Sequence, residues 1–317
     1  MIWGFVILLI AGICQGSFGL GFKKYSPFSW AAFWMIYNIL CIVVTVSVAW
    51  ALAPQLWTVA FTKSEYWIIP LLCGALWGLS AIGFSKAITK IGMSMVYGIS
   101  MGISTVVGSI LPMLFFSSIP SGASAVFFAV GLIFTLVGVA VITVAGVKRD
   151  GAVKSSAAGI ILAVLSGLGS GAMNVGFSYS SIGEVFESLG YSQAAISSGK
   201  WLPVLVGGCI MGVIWCIGEL FVRREWNTVI SKGSALQTSK QFVVCIIWYA
   251  ALLLYGLSTV MLGETGSIIG WILFNSLALV ISVGWGLKTG EWNNKPKSLL
   301  FVGCAIMIVA WVFTALV

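Results

Sequence analysis

The sequence predicts an all-α membrane protein of ten transmembrane helices arranged as two inverted five-helix repeats. Three observations carry that reading. Hydrophobic residues make up 60% of the chain and charged ones only 8%, whereas about a quarter of an ordinary soluble domain is charged. Ten apolar stretches are each long enough for the roughly 20 residues that cross a bilayer. The third observation is an internal echo. Ile10 to Phe22 and Leu165 to Phe177 share glycines and a phenylalanine at an offset of 155, with Gly12, Gly16, Gly21 and Phe22 recurring as Gly167, Gly171, Gly176 and Phe177. Val137 to Gly146 and Val302 to Trp311 agree at five of ten positions. Copies of a unit that crosses a membrane an odd number of times lie in opposite orientations, as in secondary transporters built from inverted repeats. No segment has the alternating polar pattern of a membrane barrel.

The first stretch, 2–22, has no basic residue before it and no A-x-A pattern after it, so it reads as part of the fold rather than a leader. Ala11-Gly12-Ile13-Cys14 loosely resembles a lipoprotein box, but the bulky Ile13 argues against one. Gln15 lies within this stretch, and Asn38 within the second, 28–50. Trp57, Tyr66 and Trp67 in the loop that follows read as an aromatic belt. The third stretch, 67–85, carries Trp77 and ends at Lys86; the fourth, 93–115, carries Gly98, Gly102 and Gly108, and the fifth spans 124–146. Small residues like these let helix backbones approach closely in lipid.

A polar run from Lys148 to Ser156 then divides the chain into a first repeat, 1–147, a linker, 148–156, and a second repeat, 157–317. The sixth stretch, 157–179, contains Asn174. After it, Ser180 to Lys200 reads as a short amphipathic helix on the membrane surface carrying Glu184 and Glu187. The seventh, 201–221, places Glu219 before Arg223 and Arg224 as an ion-pair partner. The eighth, 241–262, carries Trp248, Tyr249 and Tyr255; the ninth, 266–287, carries Trp271 and Asn275; the tenth spans 299–316.

Charge sets the orientation. Of the 16 basic residues, all but Lys63 and Lys200 fall in segments that follow odd-numbered stretches. By the positive-inside rule those segments face the cytoplasm and both termini face outward. Because the charges are dispersed over short loops, the net charge of +8 is not a nucleic-acid patch.

The seven cysteines are scattered singly along the sequence, with no CxxC and no histidine, so no zinc or haem site and no cofactor is expected. No Walker loop is present, which leaves a gradient or a separate subunit as the energy source. An enzyme is disfavoured by the lack of clustered His, Asp or Glu, and a membrane sensor by the lack of a sizeable soluble domain.

Amides at membrane depth are functional candidates because polar side chains are expensive in lipid. Gln15, Asn38, Asn174 and Asn275 each offer donors and an acceptor, as a sugar hydroxyl also does; the alternative for each is a helix-to-helix hydrogen bond. Trp77 and Tyr249 add flat surfaces for the C–H face of a sugar ring. These six residues are the expected substrate-binding set. Glu184, which follows the sixth stretch on the outer side, is the candidate for proton exchange with the outside medium, while the lack of an acidic residue near mid-depth counts against simple proton coupling.

Several strings resemble the L-rhamnose/proton symporter family of the drug/metabolite transporter superfamily: Gly21-Phe22-Lys23-Lys24, Gly74-Ala75-Leu76-Trp77-Gly78, Ile91-Gly92-Met93-Ser94-Met95, Trp248-Tyr249 with Tyr255, and Glu291-Trp292-Asn293-Asn294. The resemblance covers nearly the whole chain in order. It implies ten helices, both termini outside, and a bacterial inner-membrane carrier that takes up a deoxysugar such as L-rhamnose with a proton. It also aligns Glu184 with a glutamate of the family. The chain departs from the family pattern at Ala81 and Gly83, where asparagines stand, at Ala251, where a glutamine stands, and in having no histidine. The rival is a carrier of the same fold that exports or exchanges another small metabolite without proton coupling.

Overall fold

The computed structural model describes residues 2–22, 24–55, 58, 62–115, 119–151, 156–263 and 266–317. Among these residues there are helices and no strands. In order, α1 is Ile2–Ser17, α2 Trp30–Leu52, α3 Ile68–Ile91, α4 Met93–Phe115, α5 Gly122–Asp150 and α6 Ala157–Tyr179. A short α7, Ile182–Ser188, precedes α8, Gln193–Arg223; then follow α9, Ser234–Leu262, α10, Gly266–Lys288, and α11, Ser298–Ala315. All but α7 are long and apolar enough to cross a membrane, so ten spanning helices are present among the described residues. Trp57 and most of the linker, 152–155, lie outside the described residues.

Several helices outrun the apolar stretches that announce them. The eighth of the eleven, α8, has 31 residues, beginning at Gln193 rather than near 201, and spans about 46 Å at 1.5 Å per residue. It extends because Ser192 caps it, accepting the backbone N–H of Ala195, and because polar residues at its ends lie beyond the apolar core of a bilayer. For the same reason α5 runs through Lys148 and Arg149 to Asp150, taking in the start of the expected linker. Between α3 and α4 the chain turns on Gly92 alone, at φ 82°, a conformation that L side chains rarely adopt.

The packing has a regular plan. The α6 helix lies against α3 and α4, while α1 lies against α9 and α10; α2 pairs with α8, α4 with α10 and α5 with α11. Close approach is made by glycine. A Cβ on Gly74 would collide with the Val204 carbonyl of α8, and one on Gly78 with the Gly208 carbonyl. On α6, a Cβ at Gly171 would lie 2.6 Å from Val107, and one at Gly176 2.7 Å from Cys73. Gly218, by contrast, faces open space on α8.

Within the segment 180–200, expected as one short helix on the membrane surface, the helix α7 covers only Ile182–Ser188, and Gln193 to Lys200 belong to α8. In α7, Ile182 and Phe186 are buried in a small core with Ala195 and Ile196 of α8, so the short helix is packed on protein.

Gly78→Val is expected to abolish accumulation of folded protein, because backbone cannot yield to the added atoms, while Gly218→Ala should leave it unchanged or slightly raised, by up to about 1 kcal/mol. The yield of folded protein in detergent checks the first variant, and thermal unfolding beside the parent checks the second.

Candidate functional site

The expected binding residues fall into two neighbourhoods inside one apolar core. The first forms where α2, α3, α8 and α9 meet. Trp77 stacks on Trp248, with ring centroids 5.6 Å apart and planes 13° from parallel, and its indole covers Gly208. Trp34 meets Tyr37 edge-on at 5.5 Å, and Tyr37 approaches Trp248 at 6.3 Å. Asn38 sits one turn beyond Trp34, donating from Nδ2 to the Trp34 carbonyl at 2.7 Å, against Gly212 of α8. Tyr249 follows Trp248 on α9, and its hydroxyl shares a 2.8 Å hydrogen bond with Ser198 of α8.

The second neighbourhood lies where α4, α6, α8, α9 and α10 meet, near the C-termini of α6 and α9. Asn174 is its polar centre. Its Nδ2 donates to the Gly108 carbonyl of α4 at 2.7 Å, and its Oδ1 accepts the Tyr255 hydroxyl of α9 at 2.7 Å. Trp271 of α10 donates from Nε1 to the Ser104 carbonyl at 3.0 Å. Phe177 stacks on Trp201 at 4.4 Å, and Tyr255 lies between Trp201 and Phe274. Together these rings form one contiguous aromatic cluster, a plug of side chains between the helices.

Gln15 and Asn275 lie on α1 and α10, two helices in close contact through Gly12 and Gly16. The Gln15 Oε1 acceptor and the Asn275 Nδ2 donor are both buried without a hydrogen-bond partner among the described residues. An amide held in this way presents one acceptor and one donor to an incoming hydroxyl. Two cavities, of about 310 and 260 Å³, lie elsewhere: one is an apolar groove between α4 and α5, and the other lies at the turn between α3 and α4. Neither touches the six residues.

Glu184 is exposed on α7. Below it Lys200 of α8 places its ammonium 4.7 Å from the centre of the Phe177 ring, and Gly183 of α7 leaves room for the lysine stem. Among the described residues no carboxylate lies within salt-bridge distance of Lys200. Glu219 is the expected ion-pair partner of Arg223, at 2.8 Å; it also reaches Lys86 of α3 at 3.7 Å and accepts from Trp215 Nε1 at 3.0 Å.

Two features escaped the linear reading. The cysteines scattered along the sequence do not stay apart: Cys41 of α2 and Cys245 of α9 place their sulfurs 3.2 Å apart, with Cys209 of α8 beside them. Helical register gave no warning, because each comes from a different helix. Trp201 was also missed, since it stood at the edge of an apolar stretch where a tryptophan reads as a membrane anchor. Two of the recognised strings meet at one point: Arg149 pairs with Glu291 at 3.2 Å and lies over the Trp292 ring, while Ser94 donates to Asp150 at 2.7 Å. Of the departures from the family pattern, Ala81 is exposed and Ala251 is fully buried in the core beside the aromatic cluster.

A family model described as L-rhamnose-proton symport protein (RhaT) matches residues 1–316. Curated relatives include the L-rhamnose-proton symporter of Yersinia pestis (strain Pestoides F), 24% identical over 337 residues, covering 98% of this chain and 96% of that protein. The L-rhamnose-proton symporter of Escherichia coli (strain Crooks) is 24% identical over 326 residues, covering 95% and 94%. A crystal structure described only as that of a protein superposes with a TM-score of 0.65 at 13% identity, covering 100% of this chain and 97% of the other, and so shares the fold.

Asn174→Ala removes both the donor to the Gly108 carbonyl and the acceptor of the Tyr255 hydroxyl, and is expected to lower stability by about 1–3 kcal/mol, read as a fall in the thermal midpoint of purified protein. Gln15→Ala removes an acceptor that no described residue uses; its midpoint should not fall, while the KM for substrate should rise about tenfold.

Proposed function

We propose, because this chain belongs to the L-rhamnose-proton symport family, that it takes up L-rhamnose together with a proton across the bacterial inner membrane. The family match over residues 1–316 carries the reading. The chain is a multi-pass membrane transporter and not an enzyme.

The mechanism follows from the inverted repeat. The first helix of one half packs on the third and fourth spanning helices of the other: α1 on α9 and α10, α6 on α3 and α4. Second, fourth and fifth spanning helices meet their counterparts, as α2 with α8, α4 with α10 and α5 with α11. That exchange of partners supports two halves, 1–147 and 157–317, related by a two-fold axis in the membrane plane. Rocking about the shared core would open it alternately to each side. The basic loops face the cytoplasm and the termini face outward, which puts the aromatic plug of Phe177, Trp201, Tyr255 and Trp271 on the outer side.

Gln15, Asn38, Asn174 and Asn275 supply polar contacts to the sugar, with Trp77 and Tyr249 as flat surfaces. The Trp77 face is occupied by Trp248, so the stack must part for a ring to enter. Buried Ala251, where the family pattern has an amide, removes one possible hydroxyl contact, and a site short of such bonds discriminates hydroxyls less steeply. Glu184 is our candidate for exchanging the proton with the outer medium: it is exposed, and it stands over the helix that bears the plug.

Adding L-rhamnose to a lightly buffered suspension of de-energised cells expressing the chain should alkalinise the medium, with no change in cells lacking it. Silence to L-rhamnose and a response to another sugar would reassign the substrate. Glu184→Gln should keep sugar exchange across vesicles and lose the pH signal; an unchanged proton-to-sugar ratio would remove Glu184 from coupling.

A further inference from the structure

We infer that the indole N–H of Trp201 is a hydrogen-bond donor to the transported sugar, covered in the closed form and uncovered when the aromatic plug opens. The inference rests on the sugar-carrier reading and adds a residue to it.

Trp201 is fully buried, yet its Nε1 has no acceptor among the described residues. Four other tryptophans differ in this respect. Trp30 donates to Ser85, Trp271 to the Ser104 carbonyl, Trp285 to Ser17 and Trp311 to Ser276. Buried donors are almost always paired, and an unpaired one in a native structure calls for a reason. The indole N–H can only donate, so whatever satisfies it must bring an acceptor oxygen. A sugar hydroxyl brings one.

The ring is also held for the task. Phe177 stacks on it at 4.4 Å and Tyr255 tilts against it at 6.0 Å, which fixes its plane without using its N–H. Tyr255 is in turn anchored to Asn174, already a member of the expected binding set. Trp201 therefore belongs to the wall that separates the core from one end of the bundle. A carrier must open that wall in each cycle. Once Phe177 leaves the indole face, the same side chain offers a flat surface for the sugar's C–H groups and a donor at its edge, the two elements of sugar recognition.

The test is Trp201→Phe, which keeps an aromatic ring for the stack and deletes the donor. We expect the KM for L-rhamnose to rise about tenfold with the maximal rate retained, while the smaller ring leaves a space in a fully buried site and lowers the thermal midpoint. Replacement of Trp201 by benzothienylalanine, which puts sulfur where the N–H stood in a ring of the same shape, should give the same loss and guards against a packing defect in the Phe variant. Deoxy analogues identify the contact: one analogue should lose affinity for the parent but not for the variants. An unchanged KM in the benzothienyl protein overturns the inference. If the parent itself carries no L-rhamnose, the sugar assignment has failed, and the same comparison is made on whichever sugar the parent does carry; if it carries none, both fall.

Discussion

The close approach of helix backbones is the constraint on which the rest of this molecule depends. In lipid, an apolar face gains little by leaving acyl chains for another helix, so association comes from packing and interhelical hydrogen bonds. The glycines of α3, α6 and α8 make that packing possible, with Gly74 and Gly78 lying directly on backbone carbonyls of α8. They also place chemistry. Asn174 reaches the Gly108 carbonyl because Gly171 lets α6 rest against Val107 and Gly108 of α4. A larger residue at 171 would push α6 outward and pull the amide off both partners. The polar centre is thus a consequence of the glycine seam, not a separate device.

Buried polar groups here divide into two kinds, and the division bears on their roles. Asn174, Tyr255 and Trp271 are satisfied within the protein and tie α4, α6, α9 and α10 together. Gln15 Oε1, Asn275 Nδ2 and Trp201 Nε1 have no partner among the described residues. Leaving such groups orphaned costs about 1–3 kcal/mol each, a burden that fits a form made to be left. A ligand that pairs them stabilises the state in which it can reach them, and so biases the equilibrium between open and closed forms.

The ten spanning helices were legible in the sequence because their signal is long, ten apolar stretches of about a bilayer's thickness. The helix ends were less legible, as α8 shows, because a helix continues through polar residues once its cap is set, while hydropathy stops at the edge of the lipid. At the site, residue type sufficed to nominate Gln15 and Asn275, since an amide in lipid stands out anywhere. It could not tell Asn38, bonded within its own helix, from Asn174, bonded across three. Trp201 and the meeting of Cys41 with Cys245 depend on which helix faces which, information that exists only in the packing. Fifteen tryptophans in a membrane protein also dilute the signal of any one of them.

Coupling has to be understood against the placement of acidic groups. Among the described residues, Asp150, Glu219 and Glu291 are in ion pairs near helix ends, and Glu184 and Glu187 ride on the short α7. No described carboxylate lies beside the amides of the core. If a proton is taken up at Glu184, it cannot act on the sugar by direct contact; it must act through an element that has two positions. The α7 helix qualifies physically. It packs on α8 through Ile182 and Phe186, and Gly183 abuts the stem of Lys200, whose ammonium lies on Phe177 of the plug. Neutralising Glu184 would remove the carboxylate whose charge acts on Lys200 and so change what holds that ammonium over the ring. Sugar arriving at Trp201 would act on the same stack from the other side. Two ligands biasing one stack are coupled by linkage whether or not they touch, which is how a chain with no acidic residue in its described core could still move a proton with its sugar.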